Sequence, residues 1–196
     1  MVSTAEQLLI TPTEYLQGEK LADSRHEYVD GEVYAMAGAG DAHVKVSLNI
    51  ASLLKSHLRG SGCSVYMSDM KVSAASDDAF FYPDVMVCCD ADDQKRNYVK
   101  QSPIIIIEVL SPSTEAFDRG DKFARYRQIP SLKEYVLINP MACEIDVFRL
   151  NDHKRWELFS FTADAGELSL TSLSFQCDMM DVYEDIDFTA EYDEAE

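Results

Sequence analysis

Residues 104–110 are the part of this chain that most constrains its fold. They comprise four isoleucines, a valine and a leucine around a single acid, Glu108. A short, continuous apolar run of this kind is typical of a strand buried on both faces of a sheet. A carboxylate in such a strand costs free energy unless a cation, a metal ion or strong hydrogen-bond donors contact it. The sequence therefore predicts a buried strand whose acid has a positive partner.

A second acid stands at the start of another apolar run. Asp84 follows Pro83 and precedes residues 85–89, which are Val, Met, Val, Cys and Cys. On neighbouring strands Asp84 and Glu108 would lie side by side, and a divalent cation would relieve the repulsion between their carboxylates. Two oxygen ligands of this type suit a hard metal ion. The alternative for Asp84 alone is an acid that caps a turn at the entry to a strand.

Lys122 is the candidate for the positive group. A lysine near a metal-bound phosphate can orient the attacking water and offset charge in the transition state. The alternative is an ordinary surface pair, because Asp118 lies four residues earlier on the same predicted helix. Tyr126 follows Lys122 by four residues and shares its helical face, although such a tyrosine is often a half-buried packing residue.

Two further residues are weaker candidates. Glu32 follows the Asp30-Gly31 turn of a predicted hairpin and could supply another acid, or it could be a solvated strand residue. His43, near the start of a long predicted helix, either faces the site or lies on the surface. Two basic clusters that flank the proposed site could hold phosphates or form solvated faces; their members are Lys95, Arg96, Lys100, Arg119, Arg125 and Arg127.

The charge of the chain limits its partners. The 196 residues contain 17 basic and 35 acidic side chains, for a net charge of −18, which argues against loose binding to a polyanion. Nine of the acids lie in residues 178–196, which contain no Lys or Arg, so we expect an acidic tail or a short peripheral helix there. The rest of the chain is also acidic. A nucleic-acid function therefore requires a local basic strip, a metal ion, or both.

Length and composition indicate one domain with a cytoplasmic location. Hydrophobic residues make up 46% of the chain, as in a soluble globular protein. Residues 1–6 lack the features of a secretory signal, and the longest apolar stretch is too short to span a membrane. The five cysteines are odd in number and include no Cys-x-x-Cys pair. We expect all five to be reduced and predict no zinc site.

The order of predicted elements indicates an α+β fold with a mixed central sheet. Thr11 and Glu14 form a capping box before a helix through Gln17, and Asp41 can cap a long helix. The apolar face of that long helix is predicted from Val44, Leu48, Ala51, Leu54 and Leu58. The other elements are a hairpin over 25–36, strands near 63–73, 80–89 and 104–110, a polar loop over 90–102, a helix to about 128, and strands near 134–139, 144–150, 155–161 and 168–175.

The arrangement resembles the PD-(D/E)XK nuclease superfamily, and within it the Uma-type family of restriction-endonuclease-like proteins. The resemblance covers roughly residues 11–187 and is most specific in the string Glu-Val-Leu-Ser-Pro-Ser-Thr at 108–114. Other matching segments are Arg25 to Glu32, the helix start at His43, Tyr82-Pro83-Asp84-Val85, residues 118–122 and residues 129–137. We therefore expect a single restriction-endonuclease-like domain over 1–187, with a mixed sheet flanked by helices and additional hairpins, followed by an acidic tail over 188–196.

The resemblance implies Mg²⁺ or Mn²⁺ held by Asp84 and Glu108, together with the carbonyl of Val109. It departs from the superfamily pattern at one point. The lysine of Glu-x-Lys would fall at position 110, which is Leu110 here. The family implies that the following helix supplies the lysine, which would be Lys122, with Lys71 as the reserve candidate.

Three functions remain open from the sequence. The first is a metal-dependent endonuclease that acts on DNA, with Glu32 tuning the metal site and a homodimer cutting both strands of a duplex. The second is a catalytically silent module of the same fold that binds a protein or nucleic-acid partner. The third is a metal-dependent hydrolase of smaller phosphoesters. The sequence contains no phosphate-binding glycine loop and no Gly-x-Ser-x-Gly motif of a serine hydrolase.

Overall fold

The apolar run around Glu108 forms the strand β8 (Pro103–Val109), at an interior position of a six-stranded sheet. The computed structural model describes residues 9–189. The strand order of this central sheet is β11-β10-β9-β8-β6-β3. The other five strands are β3 (Ser64–Met67), β6 (Val85–Cys88), β9 (Glu134–Asn139), β10 (Glu144–Leu150) and β11 (Trp156–Thr162).

The central sheet is mixed, as predicted. β8 is parallel to β9 and antiparallel to β6, and the remaining neighbours are antiparallel. Because side chains alternate along a strand, β8 contributes to two separate cores. Ile105, Ile107 and Val109 pack into one apolar cluster, whereas Ile106 and Leu110 pack into the other. Both faces of the strand are therefore buried.

A second sheet of five strands lies on the side of the core that contains Ile106. Its order is β2-β1-β5-β4-β7, with strands β1 (His26–Val29), β2 (Glu32–Ala35), β4 (Lys71–Ala74), β5 (Ala79–Phe81) and β7 (Val99–Lys100). The predicted hairpin is β1–β2. Its two-residue turn has positive φ at both Asp30 (50°) and Gly31 (95°), which is the conformation that a tight hairpin favours.

Two predicted strands are each divided between the sheets. The run near 63–73 becomes β3 in the central sheet and β4 in the second sheet. The run near 80–89 becomes β5 and β6, which are also in different sheets, and Tyr82-Pro83-Asp84 joins them. Proline cannot donate a ladder hydrogen bond, so the break at Pro83 has a local cause. Asp84 therefore lies where the chain passes from one sheet to the other.

The first two helices begin close to their predicted positions. α1 (Pro12–Glu19) has the predicted capping box, in which Thr11 and Glu14 exchange hydrogen bonds. α2 (Asp41–His57) is capped by Gly40 rather than Asp41. The predicted apolar face of α2 is partly wrong, because Val44 and Leu48 are exposed. The buried face also includes the small residues Ala42, Ser47 and Ala51, which contribute little to an apolar pattern in sequence. Its members are Ala42, Val46, Ser47, Ile50, Ala51 and Leu54.

The helix predicted to reach residue 128 is interrupted. It consists of α4 (Glu115–Phe117), a π-helical turn (Asp118–Lys122) and α5 (Phe123–Tyr126). A π turn inserts one additional residue per turn and is frequent at functional sites. The turn buries both Asp118 and Lys122.

The remaining elements complete the fold. The predicted polar loop over 90–102 contains α3 (Ala91–Lys95) and β7. The weak strand near 168–175 is a hairpin of β12 (Glu167–Leu170) and β13 (Phe175–Asp178), followed by α6 (Met179–Val182). Residues 190–196 of the predicted acidic tail lie outside the described residues, as do residues 1–6. Within residues 9–189, no helix is long and apolar enough to cross a membrane.

The expectation of five reduced cysteines is wrong for one pair. Cys63 and Cys89 form a disulfide between the residue before β3 and the residue after β6. These strands are antiparallel neighbours, with Ser64 opposite Cys88, so the two cysteines meet at one end of the pair. The free cysteines of the described region are Cys88, Cys143 and Cys177.

Candidate active site

Asp84 and Glu108 meet where β6 and β8 run side by side. Val85 pairs with Ile107, so Asp84 and Glu108 come next in the antiparallel register. The backbone N–H of Asp84 donates to Oε2 of Glu108 (3.4 Å), and the N–H of Val109 donates to Oδ2 of Asp84 (2.7 Å). Glu108 is 3% exposed. The structure thus brings together the two acids and the backbone of Val109.

Lys122 reaches this pair of acids from the π-helical turn. Its Nζ lies 3.0 Å from Oε1 of Glu108, 3.3 Å from Oε1 of Glu27 and 3.4 Å from Oδ1 of Asp118. The hydroxyl of Tyr126 donates to Oε1 of Glu108 at 2.8 Å. Lys122 and Asp118 therefore form the predicted ion pair, but the pair is buried, whereas the alternative from the sequence was a pair on the surface.

His43 approaches Asp84 from the first turn of α2. Its Nε2 lies 3.2 Å from Oδ2 of Asp84, the oxygen that also accepts from Val109. Burial disfavours the charged imidazole, but the hydrogen bond and the charge of Asp84 outweigh it and raise the pKa of His43. His43 thus faces the site and is a second donor to Asp84.

The site holds more negative than positive charge. Four carboxylates, those of Glu27, Asp84, Glu108 and Asp118, surround Lys122 and His43. Burial and the neighbouring carboxylates raise the pKa of Glu108 well above its ordinary value, against the opposing effect of Lys122. Burial lowers the pKa of Lys122, but Glu108, Glu27 and Asp118 outweigh it, so this pKa is raised well above the ordinary value. Such a site favours the binding of additional positive charge.

Glu27 is the acid that the sequence reasoning missed. It lies on β1, where its Oε1 contacts Lys122 and accepts the backbone N–H of Tyr82 at 3.2 Å. Glu32 shares the hairpin but lies on β2, at the edge of the second sheet. Among the described contacts, the side chain of Glu32 accepts a hydrogen bond from Tyr34 and reaches none of the residues around Glu108. Lys71 also lies apart, with its ammonium between the rings of Tyr15 and Tyr82.

The two predicted basic clusters are largely engaged in internal contacts. Four members form ion pairs: Lys95 with Asp92, Arg96 with Asp93, Arg119 with Glu115 and Asp146, and Arg125 with Asp30. Lys100 is buried and donates to the backbone carbonyls of Asp93 and Arg96. Arg127 lies over the ring of Phe123. These contacts weaken the prediction that either cluster holds phosphates.

The donor set around Asp84 suits a magnesium ion better than an enclosed metal centre. In the described part of the chain, no group of three or more His, Cys, Asp and Glu side chains is arranged to hold a metal ion. Mg²⁺ retains several waters and usually takes only one or two protein carboxylates, with substrate phosphates completing its shell. Oδ1 of Asp118 is buried without a hydrogen-bond partner, and its contact within this site is the 3.4 Å ion pair with Lys122. Asp84 and Glu108 therefore fit such an ion.

The fold is a restriction-endonuclease-like α+β fold, and the comparison with solved structures agrees. A crystal structure from Anabaena variabilis, described as “a putative nuclease belonging to DUF820”, matches with a TM-score of 0.73. The match covers 89% of this chain and 97% of that chain at 17% identity.

Sequence comparison identifies the family. The sequence profile of the Uma2 family, described as “Putative restriction endonuclease”, matches residues 12–180, and the chain belongs to this family. Two proteins of Synechocystis sp., both described as uncharacterized, are similar. One, slr1290, is 39% identical over 172 residues, which are 87% of this chain and 90% of that protein. The other, sll1609, is 31% identical over 173 residues, which are 87% of this chain and 98% of that protein.

Proposed function

We propose that this protein is a metal-dependent endonuclease that hydrolyses phosphodiester bonds in DNA. The observation that carries the proposal is the position of Lys122, whose ammonium lies 3.0 Å from Glu108 beside Asp84. These residues provide two carboxylates and one cation at a single point of the sheet. Such a combination suits phosphoryl-transfer chemistry, which depends on positioning and electrostatics rather than on a covalent intermediate.

Asp84, Glu108 and the carbonyl of Val109 would hold Mg²⁺ or Mn²⁺. When bound, such an ion supplies Lewis-acid activation of the scissile phosphate and of a water molecule. The N–H of Val109 and His43 orient the carboxylate of Asp84, because both contact its Oδ2. The hydroxyl of Tyr126 orients Glu108 in the same way.

Lys122 would position the attacking water and stabilise the charge that develops on the phosphate. The π-helical turn, the buried Asp118 and the partly buried Glu27 restrict its position, which is the preorganisation that electrostatic catalysis requires. Glu27 therefore takes the role of auxiliary acid that the sequence assigns to Glu32. This assignment follows from its 3.3 Å contact with Lys122.

A two-fold dimer would allow both strands of a duplex to be cut. The central sheet ends in β11, whose Leu158 and Phe159 are exposed. Exposed apolar residues on an edge strand are compatible with pairing to a second copy. Sedimentation equilibrium of the full chain, compared with Leu158→Lys, tests this assignment; a wild-type monomer would contradict it.

The decisive test of the catalytic proposal is nicking and cleavage of supercoiled plasmid at low salt. We expect activity with Mg²⁺ or Mn²⁺ that EDTA abolishes, and we expect Asp84→Asn and Lys122→Met to be inactive. Lys95→Met is the matched control, because Lys95 is exposed and its ion-pair partner within residues 9–189 is Asp92. Cleavage retained by Asp84→Asn would refute the assignment of this site.

One observation favours the second candidate, a catalytically silent module. Lys122 already contacts three carboxylates, so it partly neutralises the cluster without a metal ion. Thermal unfolding with and without Mn²⁺ separates the two functions, because an ion that binds the native state raises its stability. A nuclease site should give a rise in melting temperature that Glu108→Gln removes, whereas a silent module should give none.

A further inference from the structure

A cavity outside the candidate active site lies between α1 and the second sheet. Its volume is about 340 Å³. Its lining includes three basic residues (Lys20, Arg25 and Lys71), two acids (Glu19 and Asp69) and two tyrosines (Tyr82 and Tyr98). We refer to it as the Lys71 pocket. None of its lysines or arginines belongs to the basic clusters predicted from the sequence.

Lys71 is an unusual residue for a cavity wall. It is 6% exposed, and its ammonium lies 4.8 Å from the ring centroid of Tyr15 and 4.9 Å from that of Tyr82. Among residues 9–189 its ammonium makes no hydrogen bond or ion pair. Burial lowers its pKa to about 8. A buried cation without an anionic partner costs free energy that a bound anion would offset.

The acids of the pocket make no ion pair with Lys71. The charge of Glu19 acts on Lys71 and opposes the lowering of its pKa, but Oε1 of Glu19 accepts from the hydroxyl of Tyr82 (2.8 Å) and the N–H of His26 (2.9 Å), while Oε2 contacts Nδ1 of His26 (3.2 Å). Asp69 pairs with Nε of Arg25 at 3.3 Å and is largely exposed. Lys20, Arg25 and Lys71 thus make the pocket locally positive in a chain of net charge −18.

The rim of the pocket provides a flat aromatic surface. Tyr98 is 69% exposed, and Nζ of Lys20 lies 5.3 Å from its ring centroid. An exposed ring beside positive charge is a common arrangement for a nucleotide, whose base stacks on the ring while cations hold the phosphate. The apolar alternative, a lipid or peptide side chain, would leave Lys71 without an anion.

The pocket is joined to the candidate active site through Tyr82. This residue lines the pocket, and its backbone N–H donates to Glu27, which contacts Lys122. Asp84 follows two residues later, which places its backbone at most roughly 7 Å from that of Tyr82. A nucleotide in the pocket would therefore belong to the same strand as a phosphate at Asp84 and Glu108.

We propose that the Lys71 pocket binds one nucleotide of the substrate strand, with its phosphate on Lys71, Lys20 and Arg25 and its base on Tyr98. This inference rests on the proposed nuclease function for the identity of the strand. The binding itself requires neither a metal ion nor catalysis, so it can be measured separately.

The test is calorimetric titration of the full chain in EDTA with three probes: inorganic phosphate, a nucleoside 5′-monophosphate and a short single-stranded oligonucleotide. The oligonucleotide should bind more tightly than the mononucleotide. Lys71→Met should weaken both by about tenfold or more, because it removes a charged hydrogen-bond donor. Lys71→Arg should retain binding within a few-fold, and the control Lys95→Met should match the wild type.

Tyr98→Ala provides a second, independent variant, since its side chain is exposed and its loss should not disturb the fold. It should weaken the mononucleotide and the oligonucleotide but leave inorganic phosphate unchanged. Binding that Lys71→Met does not alter, or a preference for the free mononucleotide over the oligonucleotide, would overturn the proposal.

The two proposals fail in different ways. If nucleotide binding in EDTA depends on Lys71 but the protein cleaves no plasmid, the pocket proposal is supported and the nuclease proposal is rejected. Cleavage that depends on Asp84, with binding indifferent to Lys71, would support the nuclease and reject the pocket.

Discussion

The ammonium of Lys122 lies 3.0 Å from Oε1 of Glu108, although Lys122 comes from a helical turn and Glu108 from a central strand. In the Glu-x-Lys pattern a lysine would stand two residues after the acid, on the same face of the strand. That position is Leu110, which packs into the apolar cluster between the sheets. The lysine that contacts Glu108 therefore comes from a helical turn, and the strand position two residues after the acid is apolar.

Lys122→Met should destabilise the protein strongly. Removing one partner of a buried ion pair typically costs about 3–5 kcal/mol, because the remaining charge is left uncompensated. Urea unfolding monitored by circular dichroism provides the free energy. The double variant Lys122→Met/Glu108→Gln should lose less than the sum of the two single variants. A loss in Lys122→Met no larger than in the exposed control Lys95→Met would contradict the buried contact.

Glu27→Gln should lower the rate of plasmid cleavage, whereas Glu32→Gln should leave it nearly unchanged. Glu27 restricts the position of Lys122, and a hydrogen bond to a charged group is worth about 1.5–3 kcal/mol, which corresponds to a loss of roughly 10- to 100-fold in rate. Glu32 contacts only Tyr34 among its described partners. Initial rates at saturating Mg²⁺ provide the comparison, and equal rates for the two variants would remove Glu27 from the site.

Lys71→Met should raise the melting temperature at neutral pH, and the gain should disappear in strongly alkaline buffer. Burial holds the pKa of Lys71 at about 8 in the folded protein, below its ordinary value of 10.5. Between these values the unfolded chain binds more protons than the folded chain, so wild-type stability rises with pH across this interval relative to Lys71→Met.

Scanning calorimetry of the two proteins at pH 7 and pH 11 measures this difference. Lys95→Met, which removes an exposed lysine, should follow the wild type at both values. A constant difference between Lys71→Met and the wild type would show that Lys71 is not desolvated.

Cys63→Ser should destabilise the oxidised protein, and a reducing agent should have the same effect on the wild type. A disulfide that closes a loop of this size, with a sequence separation of 26 residues, contributes about 2–4 kcal/mol by restricting the unfolded chain. Unfolding of Cys63→Ser should be insensitive to reducing agent. Cys143→Ser is the control, since Cys143 is a free cysteine and its loss should not change the response to reduction.

The sequence predicts those parts of the site that depend on the residue pattern of a single strand or turn. The continuous apolar run predicts β8, and the single acid within that run marks a site. The Asp30-Gly31 turn predicts the hairpin. The neighbouring positions of Asp84 and Glu108 followed from the assumption of adjacent strands, which the register confirms.

The parts that sequence could not provide depend on which sheet a strand joins. Residues 80–89 were predicted as one strand, and Pro83-Asp84 is the one interruption in sequence between β5 and β6, which pair with different partners. Glu27 and Glu32 illustrate the same point. Val29 and Glu32 are opposite each other in the hairpin, and Glu27 shares the face of Val29, so both acids lie on one face. Glu32 is simply one strand farther from β5, and strand order is a tertiary property.

The chain passes between the two sheets at Tyr82-Pro83-Asp84, and the length of this short link fixes the position of Asp84 relative to Glu108. One residue more or less between Phe81 and Val85 would turn Asp84 to the opposite face of the strand or displace it from Glu108. Grafting Asp84 and Glu108 onto another scaffold would therefore require β6, β8 and the link at Tyr82-Pro83-Asp84 together. The relative position of the two acids depends on the pairing of these strands and on the length of the link.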